Sequence, residues 1–338
     1  MNIENRKLKI KTYIVFFLCS LYSVLFIPLN AVTTEQEQQF AYYWYAAKQA
    51  ITEERFTDAY VLLEFCHALK PDDGTTTGFL GVIHKGIGNY ARALLLFKNA
   101  FESDPYDQWF RYSKMLMEME TPETNLELIR VLEKAHDVQS QAVKNKKAQT
   151  IDEELLEQLK VAYIAQREWK KALAIQDETD LQKGYDAYSA LARYRIYALW
   201  GKPKKAINEI DKYLEQDPTN VRFMLFKLDI MEQTGAKPKE LYAMYERILE
   251  YDPYNLMVLN NYAYHLATHK GDLQKAEKMS AITIQEEPQN PVYLDTYGWI
   301  LHLQGQDELA LFYLNRAKWN AQENTKEEVE KHIRAIQK

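Results

Sequence analysis

The chain has 338 residues, 47% apolar and 27% charged, with 42 Lys and Arg against 48 Asp and Glu and a formal net charge of -6. That length predicts two globular domains or one elongated one, and the mildly acidic balance excludes a dedicated phosphate-binding surface, hence nucleic acid as the partner. With 11 Gly and 10 Pro against 24 Tyr, the composition argues against an all-β chain of many turns and against a disordered one.

The first segment reads as processing rather than fold. Arg6, Lys7, Lys9 and Lys11 precede the apolar run YIVFFLCSLYSVLFIP from Tyr13 to Pro28, the order of a secretory signal with a basic end and an apolar centre. The run has 16 residues, short of the roughly 20 that a helix needs to span a bilayer core. Residues 1–31 are therefore expected to be a signal peptide cleaved after Ala31, with an uncleaved anchor as the alternative. Membrane contact would come only from that anchor. In both cases the rest is exported, to the periplasm or cell envelope of a bacterium. Cys19 follows Phe17 and Leu18, not the small residues that precede a lipid-modified Cys. Cys66 is then the single thiol of the mature chain, which must fold without an internal disulfide. Removing residues 1–31 also removes a net charge of +3 and leaves -9.

Beyond Ala31 the chain repeats itself. Pro71 and Pro105 are 34 residues apart, and Ala59 and Ala93 each stand 12 before them. The interval of 12 recurs from Ala206 to Pro218, from Leu241 to Pro253 and from Ala276 to Pro288, and small residues lie 12 earlier still at Ala47 and Gly81. Gly298 and Ala310 repeat the small pair in the last unit. Such spacing suits two antiparallel helices of about 13 residues whose backbones approach where the small residues meet. Ala47, Ala59, Gly81, Ala93, Ala206, Ala276, Gly298 and Ala310 are therefore the expected packing residues. Gly88 closes the first helix of its unit and Pro105 stops the second.

The unit GFLGVIHKGIGNYARALLLFKNAFESDP resembles the tetratricopeptide repeat, matching it at Leu80, Gly81, Tyr90, Ala93, Phe97, Ala100 and Pro105. The resemblance implies an all-α fold, a right-handed superhelix of antiparallel helix pairs. About eight pairs are expected. Residues 40–137 hold the first three, the third degenerate with Pro122 in its turn. A Gln/Lys-rich stretch at 138–152 is expected to be a linker or an extended helix, dividing the array into two arms. Five further pairs follow at 153–321, and 322–338 forms a capping helix with Val329, Ile333 and Ile336 at helical spacing.

No G-x-S-x-G, Walker A, G-x-G-x-x-G, H-E-x-x-H or C-x-x-C motif occurs, so no catalytic residue, cofactor or metal is expected. His265 and His269 are four apart but Leu266 stands where a zinc protease has Glu; they read as exposed histidines near a helix end. Tyr42, Tyr43, Trp44 and Tyr45 open the first unit, and aromatics recur in the seventh and eighth. In the family that the repeat resembles, ligands are held by groove-facing positions of the first helices. Those are Trp44 and Lys48, Asn260 and Tyr264, and Asp295, Trp299 and His302. The bland alternative is that these rings pack between neighbouring repeats. The paired Lys and Asn that grip a terminal carboxylate in some members have no counterpart, since the second unit offers Gly78 and Val82. The closing NNYAYHLA and NPVYLDTYGWILHLQG resemble bacterial envelope members of the family. The expected function is thus a non-catalytic scaffold that binds a protein or peptide in its groove during envelope or surface-polymer assembly. The alternative is glycan binding by groove aromatics.

Overall fold

The computed structural model describes residues 34–337. The expected signal peptide or anchor lies outside them, and among the described residues no helix is long and apolar enough to cross a membrane. The described chain is helical, without strands, and forms eight antiparallel pairs and a final single helix. The pairs are α1 (Glu35–Thr52) with α2 (Phe56–Leu69), α3 (Gly74–Gly86) with α4 (Tyr90–Ser103), α5 (Trp109–Met119) with α6 (Pro122–Lys144), and α7 (Glu153–Ala165) with α8 (Trp169–Lys183). There follow α9 (Ala187–Leu199) with α10 (Pro203–Leu214), α11 (Val221–Gln233) with α12 (Pro238–Tyr251), α13 (Leu256–Thr268) with α14 (Leu273–Glu286), and α15 (Pro291–Leu303) with α16 (Asp307–Asn320). The last helix is α17 (Glu323–Ile336). The chain forms two compact units, one ending at Lys183 and one starting at Gly184.

Local chemistry sets the helix ends. A short polar side chain caps most first helices: the Asp73 carboxylate accepts from the Thr76 amide at 2.7 Å, and Asn220, Asn255 and Asn290 do the same for α11, α13 and α15. Each such cap satisfies an amide that has no partner inside the helix. Within pairs the turn needs a left-handed residue. Gly88 (φ +84°) supplies it in the second pair, whereas Glu54, Arg167 and Lys270 take φ of +56° to +59° without being glycine. In the third pair Pro122 is the first residue of α6 and Thr121 caps it.

The eight expected packing residues all lie in the interior. A Cβ on Gly81 would come within 2.7 Å of the Phe97 ring, and one on Gly298 within 2.8 Å of Leu314 Cγ and 3.1 Å of the Ala310 carbonyl oxygen. The absent side chain thus admits the next turn of the facing helix. In unit 2 the core runs through Met224, Tyr245, Ile248, Val258, Tyr262 and Ala276; in unit 1 one cluster gathers Ala47, Leu63, Leu80 and Leu96. At the end of unit 2, Val329 and Ile333 of α17 pack with Leu294, Leu314 and Ala317.

One expected boundary changes. Of the two readings of 138–152, the extended helix holds for its first half, since α6 runs on to Lys144, and the residues from there to Asp152 are tied to the neighbouring pairs, so the stretch does not divide the chain. Gln139 is buried and donates to the Tyr106 carbonyl at 3.2 Å while its own amide oxygen accepts from the Asp152 amide at 2.8 Å. Ile151 is 3% exposed, and its amide donates to Gln182 at 2.6 Å. A composition rich in Gln and Lys suits the wet face of a helix as well as a linker, and here two glutamines close the junction. The division falls after the fourth pair instead, at Lys183–Gly184.

Candidate functional site

Side chains at i, i+3 and i+7 of a helix share one face. On α13 that face carries Met257, Asn260 and Tyr264, and on α15 Val292, Asp295 and Trp299. The same register gives Tyr188, Leu191 and Arg195 on α9, and Arg222, Leu225 and Asp229 on α11. Tyr188, Arg222, Met257 and Val292 follow at intervals of 34, 35 and 35 residues, so the second position of four successive first helices forms one row along unit 2. The row is uncovered: Tyr188 is 59%, Met257 50% and Val292 45% exposed, and Arg222 is exposed among them. The i+3 positions sink inward, with Leu191 and Leu225 partly covered and Asn260 and Asp295 buried.

The seven sequence-predicted groove residues divide between the units. In unit 1, Trp44 meets Phe79 of the next pair edge-on at 5.4 Å, and the Lys48 ammonium stands 5.7 Å from the Trp44 ring. The Arg111 guanidinium lies 5.5 Å from the Phe79 ring and donates to Gln108 at 2.8 Å. Burial brings its pKa down to about 10. At Gly78 a Cβ would sit 2.5 Å from Gln108 Oε1, so the second pair offers backbone there rather than a side chain.

In unit 2, Tyr264, Asp295 and Trp299 come together, and the chain's own last helix closes over them. His332 Nδ1 on α17 lies 2.9 and 3.0 Å from the two Asp295 carboxylate oxygens, with both side chains 12% exposed. The imidazole stacks on Trp299 at 4.3 Å and 19°. Burial, with the charges of Glu328 and Asp295, raises the Tyr264 phenol above its ordinary value. Asp295 and Trp299, expected to face a partner, are thus engaged by α17. His302 turns to the start of α16, with Nδ1 2.7 Å from Asp307. Asn260 is 4% exposed, and its Oδ1 is buried without a hydrogen-bond partner.

His265 departs from the expected exposed pair. Its ring stacks on His269 at 5.3 Å, its Nδ1 is buried without a partner, and burial lowers its pKa. Among the other aromatics, Tyr262 lies against Tyr245 of the preceding pair at 5.0 Å, which is the packing between repeats that was the bland alternative. Tyr297 meets Tyr313 within its own pair at 4.8 Å. Cys66 is fully buried, which pushes its thiol up to about 11. Among the described residues no three His, Cys, Asp or Glu gather to hold a metal. The chemistry of the exposed row is contact and hydrogen bonding: a phenol, a thioether, an isopropyl group and a guanidinium in line, with arginine and carboxylate groups further along the same helices.

The helix pairs, their glycine contacts and the successive first helices decide the fold. The chain is an all-α solenoid of tetratricopeptide-type helix pairs. No protein-family model and no curated protein matches the sequence. Among solved structures, a chain of the Naa15/Naa10 complex bound to HypK-THB is similar over 84% of this chain, with 16% identity and a TM-score of 0.60. This chain spans 42% of the length of that one. A tetratricopeptide repeat protein from Parabacteroides merdae aligns over 89% of this chain and all of its own, at 12% identity and TM-score 0.40. YrrB, described as a TPR protein with an unusual peptide-binding site, aligns over 59% of this chain and 97% of its own, at 16% identity and TM-score 0.44. The likeness is one of fold.

Proposed function

We propose that the protein is a non-catalytic scaffold, exported to the bacterial envelope, that binds an extended segment of another protein along the first-helix face of unit 2 in envelope or surface-polymer assembly. The row Tyr188, Arg222, Met257 and Val292 carries this reading, because four helices in one register leave their apolar and cationic side chains uncovered. Neighbouring helices stand about 8–10 Å apart, and an extended chain advances about 3.3–3.6 Å per residue. Every third side chain of a bound peptide would therefore meet a new helix. A solenoid offers such long surfaces because each repeat packs only on its neighbours. Peptide is favoured over glycan because Trp299, the aromatic platform suited to a sugar, is covered by His332.

The test is crosslinking in the cell followed by mass spectrometry of what co-purifies with the tagged chain from the envelope. The expected result is one stoichiometric protein, lost when Tyr188→Ser, Met257→Gln and Val292→Ser are combined while helical content and melting stay unchanged. A partner retained by that triple variant, or polysaccharide recovered in place of protein, contradicts the proposal.

A further inference from the structure

The seat of α17 is built for a specific helix, and the joint that leads into it is not built to stay bent. Val329 (2% exposed) and Ile333 (8%) fill the apolar seat of Leu294, Leu314 and Ala317. Two polar contacts and a ring stack fix the register: His332 on Asp295, Lys318 to Glu330 at 2.9 Å, and His332 stacked on Trp299. Among the other junctions between pairs, those before α3, α7, α9, α11, α13 and α15 carry a capping Asp or Asn. The junction before α17 is Ala321–Gln322, where Gln322, like Gln108 before α5, makes no side-chain cap bond. No Gly or Pro occurs after Gly305. Only the ψ angles of these two residues, 139° at Ala321 and 167° at Gln322, separate α16 from α17, and both residue types are at home inside a helix.

We infer that α17 exchanges between two copies of this chain. If Ala321 and Gln322 turn helical, Asp307–Ile336 becomes one helix of about 45 Å at 1.5 Å per residue, which lifts Val329, Ile333 and His332 off their own seat. The emptied seat, with its carboxylate and indole, fits the α17 of a second copy, and reciprocal exchange closes a two-fold dimer with no seat vacant. Trp319, three residues before Gln322, is 89% exposed. It flanks the crossover, where the two joints of the dimer pass each other. The exchange does not depend on any partner bound to the first-helix face.

Complementation between copies tests it. Asp295→Arg sets a guanidinium against His332, and His332→Glu sets a carboxylate against Asp295, so each variant spoils its own seat. In the exchanged mixed dimer both seats are matched. Full-length copies of the two variants, differently tagged and co-expressed, should co-purify as a one-to-one dimer by light scattering. Each variant alone should not, and both changes in one chain should restore the wild-type profile. A second variant needs no loss of seat. Gln322 has φ -78°, which proline accepts, and Ala321 already has the extended backbone that precedes proline. Gln322→Pro should leave the closed monomer folded, while the wild type dimerises with concentration and with a blue shift of tryptophan emission. The association constant should fall about 100-fold or more, the order of penalty for proline inside a fused helix. A mixed pair that co-purifies no better than the single variants, or Gln322→Pro dimerising like wild type, overturns the inference.

Discussion

The first-helix faces of the two units rest on one repeat and finish differently. In unit 1 the inner position of the face is filled from within, with Trp44 on Phe79, Arg111 over Phe79 and Gln108 beside Gly78, while Tyr42 and Tyr45 of α1 stand 71% and 69% exposed. In unit 2, Tyr188, Met257 and Val292 stand about half uncovered in one register, and in the last pair α17 engages the positions further along, Asp295 and Trp299. The repeat length decides which positions share a face. The side chains placed there decide whether that face is interior packing or a surface left for a partner.

The strongest perturbation separates the two units as folding entities. Leu314 is fully buried against Leu294, Ala317 and Val329, and Leu314→Ala should cost about 2–5 kcal/mol. Unit 2 should then melt first, as a separate transition, with unit 1 unchanged in calorimetry. A single transition shifted as a whole would mean that the units fold as one. Next come the glycines. Gly298→Ala drives a Cβ against the Ala310 carbonyl and Leu314, whereas Gly81→Ala meets only the Phe97 ring. Overpacking costs about 1–3 kcal/mol against a helix-propensity gain of up to about 1 kcal/mol. In urea melts Gly298→Ala should be the costlier of the two, because backbone yields less than a ring.

A third difference is in pH. Burial of His265, opposed by the charge of Glu232 and reinforced by His269, lowers its pKa from 6.5, so the folded chain binds that proton less readily than the unfolded one. The stability tied to His265 is complete above pH 6.5, the unfolded value. It declines as pH falls below that value and levels off below the folded pKa. The unit 2 melting temperature should drop over that window, and His265→Gln should flatten the slope; an unchanged slope would place the pH response elsewhere. The mildest change is a gain: Lys270 has φ +56° in a turn where Gly305 serves the eighth pair. Lys270→Gly should stabilise unit 2 by up to about 1 kcal/mol, measured by denaturant midpoint.

The helix pairs were legible because Ala, Gly and Pro mark them at intervals of 12 and 34 residues, and those residues act through size and backbone alone. The stretch 138–152 was legible only in part: the helix extension to Lys144 was one of its two readings, but the closed junction was not foreseen. Gln139 and Gln182 each bind a backbone group across a junction, and nothing in composition tells such a glutamine from a solvated one. The pairing of Asp295 with His332, 37 residues apart, carries no local signal either, so the covered state of Trp299 could be seen only in three dimensions. Repeat register singled out Asn260, Tyr264, Asp295 and Trp299, of which the structure buries Asn260 and sets Asp295 and Trp299 against His332. The exposed row one turn before them, Tyr188, Arg222, Met257 and Val292, was missed, although its intervals of 34, 35 and 35 residues lay open to the same arithmetic.

Whether the open first-helix face of unit 2 holds a protein partner can be read in the living cell. A photo-crosslinking residue is placed at Met257 and, in a second strain, at the comparably exposed Phe312 on α16. One discrete crosslinked product with another protein is expected from Met257, and none with that protein from Phe312; the reverse pattern would contradict the scaffold reading.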